Sequence, residues 1–272
     1  MNPMDVDRSF TGSIPQLYEQ LLVPLIFAPY ADDLAQRAAA LRPASVLELA
    51  AGTGVVTRAL ARALPVETGI VASDLNQPML DHAASIGTAR PVRWQQADAL
   101  ELPFADGAFD LVVCQFGVMF FADKPRAFAE ARRVLRNGGT LLFSAWDRIE
   151  ANELAHEISL ALETLFPADP PRFMARTPHG YHDKARIAAD LAQGGFASAM
   201  QLDTVAARSI AASAREPAVA YCQGTPWRNE IEARSPPGLN AATQGATEAI
   251  ERRFGSGRID AAIQAHVVAI VK

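Results

Sequence analysis

The chain has 272 residues, half of them hydrophobic, and a formal net charge of -5. That is enough apolar material for a large core in one or two domains, and the basic residues are dispersed rather than clustered, which argues against a nucleic-acid partner. The opening MNPMDVDRSF carries acids where an export signal needs basic charge, and LLVPLIFA is broken by Pro24 and too short to span a bilayer, so a cytoplasmic protein without a membrane span is expected.

Residues 1–44 read as helical, in YEQLLVPLIF and ADDLAQRAAAL. Pro15, Pro24 and Pro29 punctuate the segment, which predicts short helices able to shift as a lid rather than one rod. From residue 45 to 146 short apolar runs alternate with amphipathic ones. SVLELA is a strand and TGVVTRALARAL a helix ending at Pro65. GIVASDL is a second strand and 77–85 a second helix. VRWQQAD and FDLVVCQF are strands three and four. DKPRAFAEARRVL is a helix whose last turns carry Arg132, Arg133 and Arg136, where cations suit the dipole. Asn137-Gly138-Gly139 is expected to stop it before the fifth strand, TLLFSAW. Strand-helix alternation with apolar strands means a parallel sheet covered on both faces. Beyond residue 146 come helices broken by FPADPPRF, a strand near 200–209, a helical and loop-like stretch, and a closing strand in AAIQAHVVAIVK.

Ligands of such sheets bind beyond the carboxyl ends of the strands, where Glu48, Asp74 and Asp98 fall. The stretch VLELAAGTGVVT ends a buried strand with a carboxylate and two close glycines. Acids are almost never fully buried unless paired, so Glu48 requires a partner. Gly52 and Gly54 allow a ligand to approach the backbone, and the next helix offers free N–H groups to negative charge. The spacing nearly fits a dinucleotide fingerprint, with Asp74 about where a ribose acid belongs. The third glycine position is Thr57, however, and a pyrophosphate has no use for Glu48. A cationic ligand with a ribose and no phosphates fits better: Glu48 for the cation, Asp74 for the ribose hydroxyls and Asp98 for an adenine amino group. S-adenosylmethionine is such a ligand.

The segments VLELAAGTG, SDLNQPML, QADALELPFADGAFDLVVCQFGVMFF and EARRVLRNGGTLLFSAW, in this order and spacing, resemble the class I S-adenosylmethionine-dependent methyltransferases, in the ubiquinone/menaquinone-biosynthesis-like (type 11) group. The resemblance covers residues 45–146. It implies a Rossmann-like α/β fold: a seven-stranded, mostly parallel sheet with helices on both faces and the last strand antiparallel, plus helical N-terminal and C-terminal caps. It also implies one domain over 1–272, with a lid (1–44), a cofactor core (45–146) and the remaining sheet with substrate-cap insertions (147–272). By that pattern Glu48, Ala50, Gly52 and Gly54 line the methionine part of the cofactor. Asp74 holds the ribose with Leu75 and Met79 nearby, Asp98 and Ala99 meet the adenine, and Gln115 and Phe116 face the methyl group. Plainer roles stand beside these: Asp74 as a helix cap, Asp98 as a turn acid, and Phe116 and Phe120 as core.

Methyl transfer from a sulfonium needs alignment and exclusion of water, helped by a base when the nucleophile carries a proton. Three residues are candidates for contact with the nucleophile: Tyr18, His156 on a helix that could overhang the site, and His179 in TPHGYHD. That last motif also reads as a loop leading to an Asp183 N-cap. His82 and His266 read as surface or packing residues. Cys114 and Cys222 are read as reduced thiols, and no cluster has metal-ligand spacing. The expected partner is a small, moderately apolar acceptor enclosed by Phe10, Tyr18, Phe27, Tyr30, Trp146, Phe173, Tyr181, Tyr221 and Trp227; pairing with a second copy as a homodimer stays open. The alternatives are a nicotinamide-dependent oxidoreductase and a non-catalytic cofactor-binding protein on the same fold.

Overall fold

The computed structural model describes residues 14–234 and 236–272; Phe10 lies outside them. Seven strands form one sheet: β1 (Ser45–Glu48), β2 (Gly69–Asp74), β3 (Arg93–Gln96), β4 (Phe109–Gln115), β5 (Leu135–Trp146), β6 (Gln201–Ala211) and β7 (Ile259–Val271). Their order is β3-β2-β1-β4-β5-β7-β6. β1 to β5 pair in parallel, and β7 lies antiparallel between β5 and β6. The expected mostly parallel sheet with its last strand reversed is therefore present.

Period-two alternation sorts the strand residues between the two faces. Val46, Leu111, Val113, Leu142 and Val267 share one core with Leu34 and Ala38 of α2 (Ala28–Ala40) and Val56 and Leu60 of α3 (Val55–Ala63). Leu47, Val112, Cys114, Phe143 and Val268 belong to a second core on the opposite face. It includes α5 (Lys124–Val134), α6 (Glu153–Leu165), α7 (Phe173–Arg176) and α8 (Lys184–Gln193), while α4 (Gln77–Ile86) covers β2 and β3. Beneath β1 the Asp110 carboxylate accepts from the backbone N–H groups of Ala44 and Ser45, each at 2.8 Å, and pins the register.

Two expectations are corrected. Asn137-Gly138-Gly139 does not separate α5 from its strand: the helix ends at Val134 and β5 begins at Leu135. Pairing then jumps from Phe109↔Leu135 to Leu111↔Thr140, so residues 136–139 leave the ladder as one excursion, with Gly138 at φ +76°. The Arg136 guanidinium on this excursion bonds Asp110 rather than helping to close the helix.

The prolines also fail to divide the described N-terminal segment. α1 (Ile14–Leu17), a π-helix (Tyr18–Phe27) and α2 follow without a break, and Pro24 lies inside the π-helix. A proline clashes with the carbonyl four residues back in an α-helix. The wider i→i+5 register, seen in the Ala28 N–H donating to the Val23 carbonyl, relieves that clash. The π-helix is tied down at both ends. Glu19 pairs with Arg58 of α3 at 2.6 Å, and the Phe27 carbonyl accepts from Gln115 Nε2 at 3.2 Å.

Candidate functional site

Beyond the carboxyl ends of β1 and β4 the chain makes turns that an ordinary sequence would avoid. Ala50 after β1 has φ +51° and Phe116 after β4 has φ +52°. Positive φ is uncommon outside glycine and is a marked outlier for a bulky residue; such strain gathers at ligand sites. The two turns touch only because residue 117 is glycine. A Cβ there would lie 2.5 Å from the Ala50 Cβ and 2.7 Å from Cys114 Sγ. Gly52 (φ +57°) and Gly54 (φ +84°) complete the turn into α3.

A cavity opens over these turns. Ala50, Gly52, Asp74, Leu75, Met79, Asp98, Ala99, Gln115 and Phe116 all line it. Asp74 is buried; one carboxylate oxygen accepts from the Gly52 N–H and the other from the Asn76 N–H, both at 2.8 Å. It is not a helix cap, since Asn76 occupies the N-cap position of α4. Burial raises its pKa, and the backbone bonds oppose the rise. Asp98 is exposed and accepts from the Leu100 N–H at 2.9 Å, so it shapes its own turn while one wall of the cavity includes it. Gln115 donates to Phe27, and its buried Oε1 has no partner among the described residues.

Glu48 and Gly54 do not line the cavity. The alternation that sends Val46 toward α3 sends Glu48 the same way, and the partner it requires is Thr57, whose hydroxyl donates to Glu48 Oε2 at 2.6 Å. The residue that spoils the dinucleotide fingerprint is thus the one that satisfies the buried acid. Burial pushes the Glu48 pKa up from 4.5 to about 8, against the opposing Thr57 hydrogen bond. The folded state therefore holds a proton that the unfolded chain releases, and stability from this group is lost as pH rises from about 4.5 to about 8. Glu48→Gln should flatten this part of the melting-temperature profile and melt higher than the wild type near pH 8. Thermal melts of both proteins between pH 5 and 8 check this; parallel profiles would show Glu48 ionised in the fold.

A second cavity abuts the first, sharing Tyr18, Phe116 and Phe120 as its wall. Leu22, Ile26 and Phe27 of the π-helix line it together with Trp146, Asn152, Phe173, Met174, His179, Tyr221 and Thr225. Phe116 stacks on Trp146 with centroids 3.8 Å apart and planes 2° from parallel. Tyr30 stands edge-on to both rings, and Tyr18 stacks on Phe27 at 4.9 Å. The Tyr18 phenol is pushed above its ordinary range by burial and by the Asp74 charge, so it stays protonated.

The strand-end cavity fits S-adenosylmethionine on its own chemistry. Among the described residues the charged side chains lining it are two carboxylates, with no Lys or Arg, which suits a sulfonium and an ammonium and opposes a pyrophosphate. Asp74 can accept from vicinal hydroxyls, and Leu75, Met79, Ala97, Ala99 and Leu100 offer an apolar seat for a base.

Known proteins agree. The methyltransferase domain family matches residues 47–143. A ubiquinone/menaquinone biosynthesis C-methyltransferase of Escherichia coli is 34% identical over 174 residues, 58% of this chain and 68% of that protein. The chain belongs to the class I S-adenosylmethionine-dependent methyltransferases of the ubiquinone/menaquinone type. A relative of the same name from Teredinibacter turnerae is 32% identical over 56% of this chain, which spans 66% of that protein's length, just under two thirds. A phosphoethanolamine N-methyltransferase of Haemonchus contortus, solved with phosphomonomethylethanolamine and S-adenosylhomocysteine, aligns with a TM-score of 0.60. It covers 99% of this chain and 60% of its own, and at 15% identity it shows the fold alone.

In this chain the histidines divide. His179 is buried in the wall of the aromatic cavity, whereas half-buried His156 on α6 lines neither cavity. His266 is buried in β7, 3.3 Å from the Asp147 carboxylate. Asp183 caps α8, accepting from the Ala185 and Arg186 N–H groups. Among the named aromatics, Trp227 is core with its indole donating to the Pro171 carbonyl, and Tyr181 donates to Asp190. Sequence reasoning missed Ser73, Asn76, Leu100, Gly117 and Phe121 around the first cavity, and the π-helix face of Leu22 and Ile26 around the second. Of these, Gly117 and Phe121 fall in the FGVMFF run after strand four, and Ser73 and Asn76 in SDLNQPML. Among the described residues no group of three or more His, Cys, Asp or Glu gathers at a metal-binding distance, and no helix is long and apolar enough to cross a membrane.

Proposed function

We propose that this protein transfers the methyl group of S-adenosylmethionine, held in the strand-end cavity, to a small, moderately apolar acceptor in the aromatic cavity. The observation that carries the reading is the shared wall. Tyr18, Phe116 and Phe120 border both spaces, so a donor on one side and an acceptor on the other meet there. In this reading Asp74 accepts from the ribose hydroxyls, Leu75 and Met79 pack on the adenosine, Asp98 and Ala99 border the adenine, and Gln115 and Phe116 face the methyl. Ala50 and Gly52 give the methionine part access to backbone. Glu48 and Gly54 build the turn without touching the ligand.

The acceptor is not carried over from the relatives. Asn152, Phe173, Met174, His179 and Tyr221 lie beyond residue 143, where the family match ends. The relatives' printed names speak of ubiquinone and menaquinone biosynthesis, and flat aromatic walls favour a ring, so ring-bearing acceptors head the panel to be tested. With both thiols buried and unpaired, a reducing cytoplasmic setting suits the protein.

Calorimetric titration tests the donor side. S-adenosylhomocysteine should bind and NADH should not; tight NADH binding without a response to S-adenosylhomocysteine would return the oxidoreductase reading. Turnover against phenols, quinols, amines and carboxylates then tests catalysis, and silence across the panel would favour the passive binder.

A further inference from the structure

Polar groups are scarce in the aromatic cavity, and most are already committed. Asn152 Nδ2 donates to the carbonyls of Asp147, Arg148 and Gln264, and its Oδ1 accepts from the Gln264 N–H. The Thr225 hydroxyl donates to the Tyr221 carbonyl and accepts from the Trp227 N–H. The Tyr18 and Tyr221 phenols are held protonated, chiefly by burial, and cannot act as bases.

His179 differs. Its Nδ1 lies 2.8 Å from the Asp147 carbonyl oxygen. A carbonyl only accepts, so Nδ1 carries the hydrogen and a neutral ring has its lone pair on Nε2. Nε2 has no hydrogen-bond partner among the described residues. The ring is fixed on several sides. Trp146 packs against it with centroids 6.0 Å apart, His182 Nδ1 donates to its carbonyl, and Asp147 is anchored in turn by Gln264 Nε2 at 2.6 Å. Burial holds the imidazole down at about 4, with His182 adding to the shift and Asp147 and Glu150 opposing it, so it stays neutral through physiological pH. An oriented, neutral acceptor atom in an apolar wall selects ligands that bring a donor.

Building on the methyltransferase reading, we propose that His179 Nε2 is the catalytic proton acceptor of the aromatic cavity, taking its proton from a hydroxyl that the acceptor donates to it. Carboxylates are excluded, because an anion meets a lone pair there, and so are ethers, which have no hydrogen to give. The step balances with this residue. As the nucleophilic oxygen or ring carbon bonds the methyl carbon, the carbon–sulfur bond breaks and leaves its pair on sulfur. The hydroxyl proton passes to Nε2, and the imidazolium returns it to water. Although the ring is a weak base in the resting site, the hydroxyl becomes strongly acidic once its oxygen or ring is alkylated, so the transfer runs downhill at that point.

The test uses phenol, anisole and benzoate as matched probes, titrated by ligand-observed NMR into the full chain saturated with S-adenosylhomocysteine. Phenol should bind about tenfold or more tighter than anisole, since a site built around a hydroxyl is left with an unpaired polar atom by an analogue that lacks it. Benzoate should bind weakest. In His179→Asn, whose amide can still donate to Asp147 but which presents no acceptor at the ε position, the phenol-to-anisole ratio should fall to about one. Affinity for S-adenosylhomocysteine should change by less than about twofold, because His179 lies outside that cavity. Should the variant not fold, the wild type decides: the Nε2 resonance of nitrogen-15-labelled His179 should move upfield with phenol and not with anisole. Equal affinity for phenol and anisole, a ratio unchanged in the variant, or an unmoved Nε2 resonance would overturn the inference while S-adenosylhomocysteine still binds. If S-adenosylhomocysteine does not bind the wild type, the parent reading fails, and this one with it.

Discussion

Asp74→Ala should weaken binding of S-adenosylhomocysteine by about 10- to 100-fold, the free energy of hydrogen bonds to a charged group, about 1.5–3 kcal/mol. The structure adds a second consequence that the sequence did not reveal. Both carboxylate oxygens already serve the backbone, one at Gly52 and one at Asn76. Alanine would leave those N–H groups unpaired in a buried turn, at about 1–3 kcal/mol for each that finds no water. The variant should therefore melt lower as well as bind more weakly, and Asp74→Asn should fall between, since its amide keeps one acceptor oxygen. Isothermal titration beside thermal melts separates the two effects. An unchanged dissociation constant in a folded Asp74→Ala protein would confine Asp74 to shaping the turn.

The sheet was legible because its causes are local. Apolar runs of strand length, amphipathic helices between them and glycines at the first turn lie within a hundred residues, and each element follows from its own segment. Asp74 was legible for the same reason, being the acid that ends strand two. What escaped depends on contacts between distant segments. Glu48 looks like a ligand for a cation until the partner nine residues on is known to lie beside it on α3. The π-helix follows from Tyr18 to Phe27 being anchored on α3 and on Gln115, and no propensity encodes that. His179 sits in a loop that reads as a lead-in to a helix cap, yet its place in the cavity depends on Asp147, 32 residues earlier. Among the aromatic residues named from the sequence, only packing separates Trp227 in the core from Trp146 at the wall.

Gly117→Ala should be among the most damaging single-methyl changes in the protein, although residue 117 offers no side chain to any ligand. Its Cβ would fall 2.5 Å from the Ala50 Cβ and 2.7 Å from Cys114 Sγ, distances at which something must move. Ala50 cannot easily move. It sits at φ +51° between β1 and Gly52, and its turn is tied to β2 by the Ala51 N–H donating to the Ser73 carbonyl at 2.9 Å. Phe116, at φ +52° on the other side, is held by its stack on Trp146. Overpacking of this kind typically costs about 1–3 kcal/mol, or about 2–12 °C in melting temperature for a chain of this size. Because Ala50 lines the first cavity and Phe116 the wall that both cavities share, binding of S-adenosylhomocysteine should fall with it. The diagnosis has its own control. Ala50→Gly removes the closer clash and suits the positive φ, so the Gly117→Ala, Ala50→Gly double variant should recover part of both losses, leaving only the Cys114 contact to accommodate. If the double variant binds and melts no better than Gly117→Ala alone, the touching turns are not what fixes the site, and the damage arises at Cys114 beneath them.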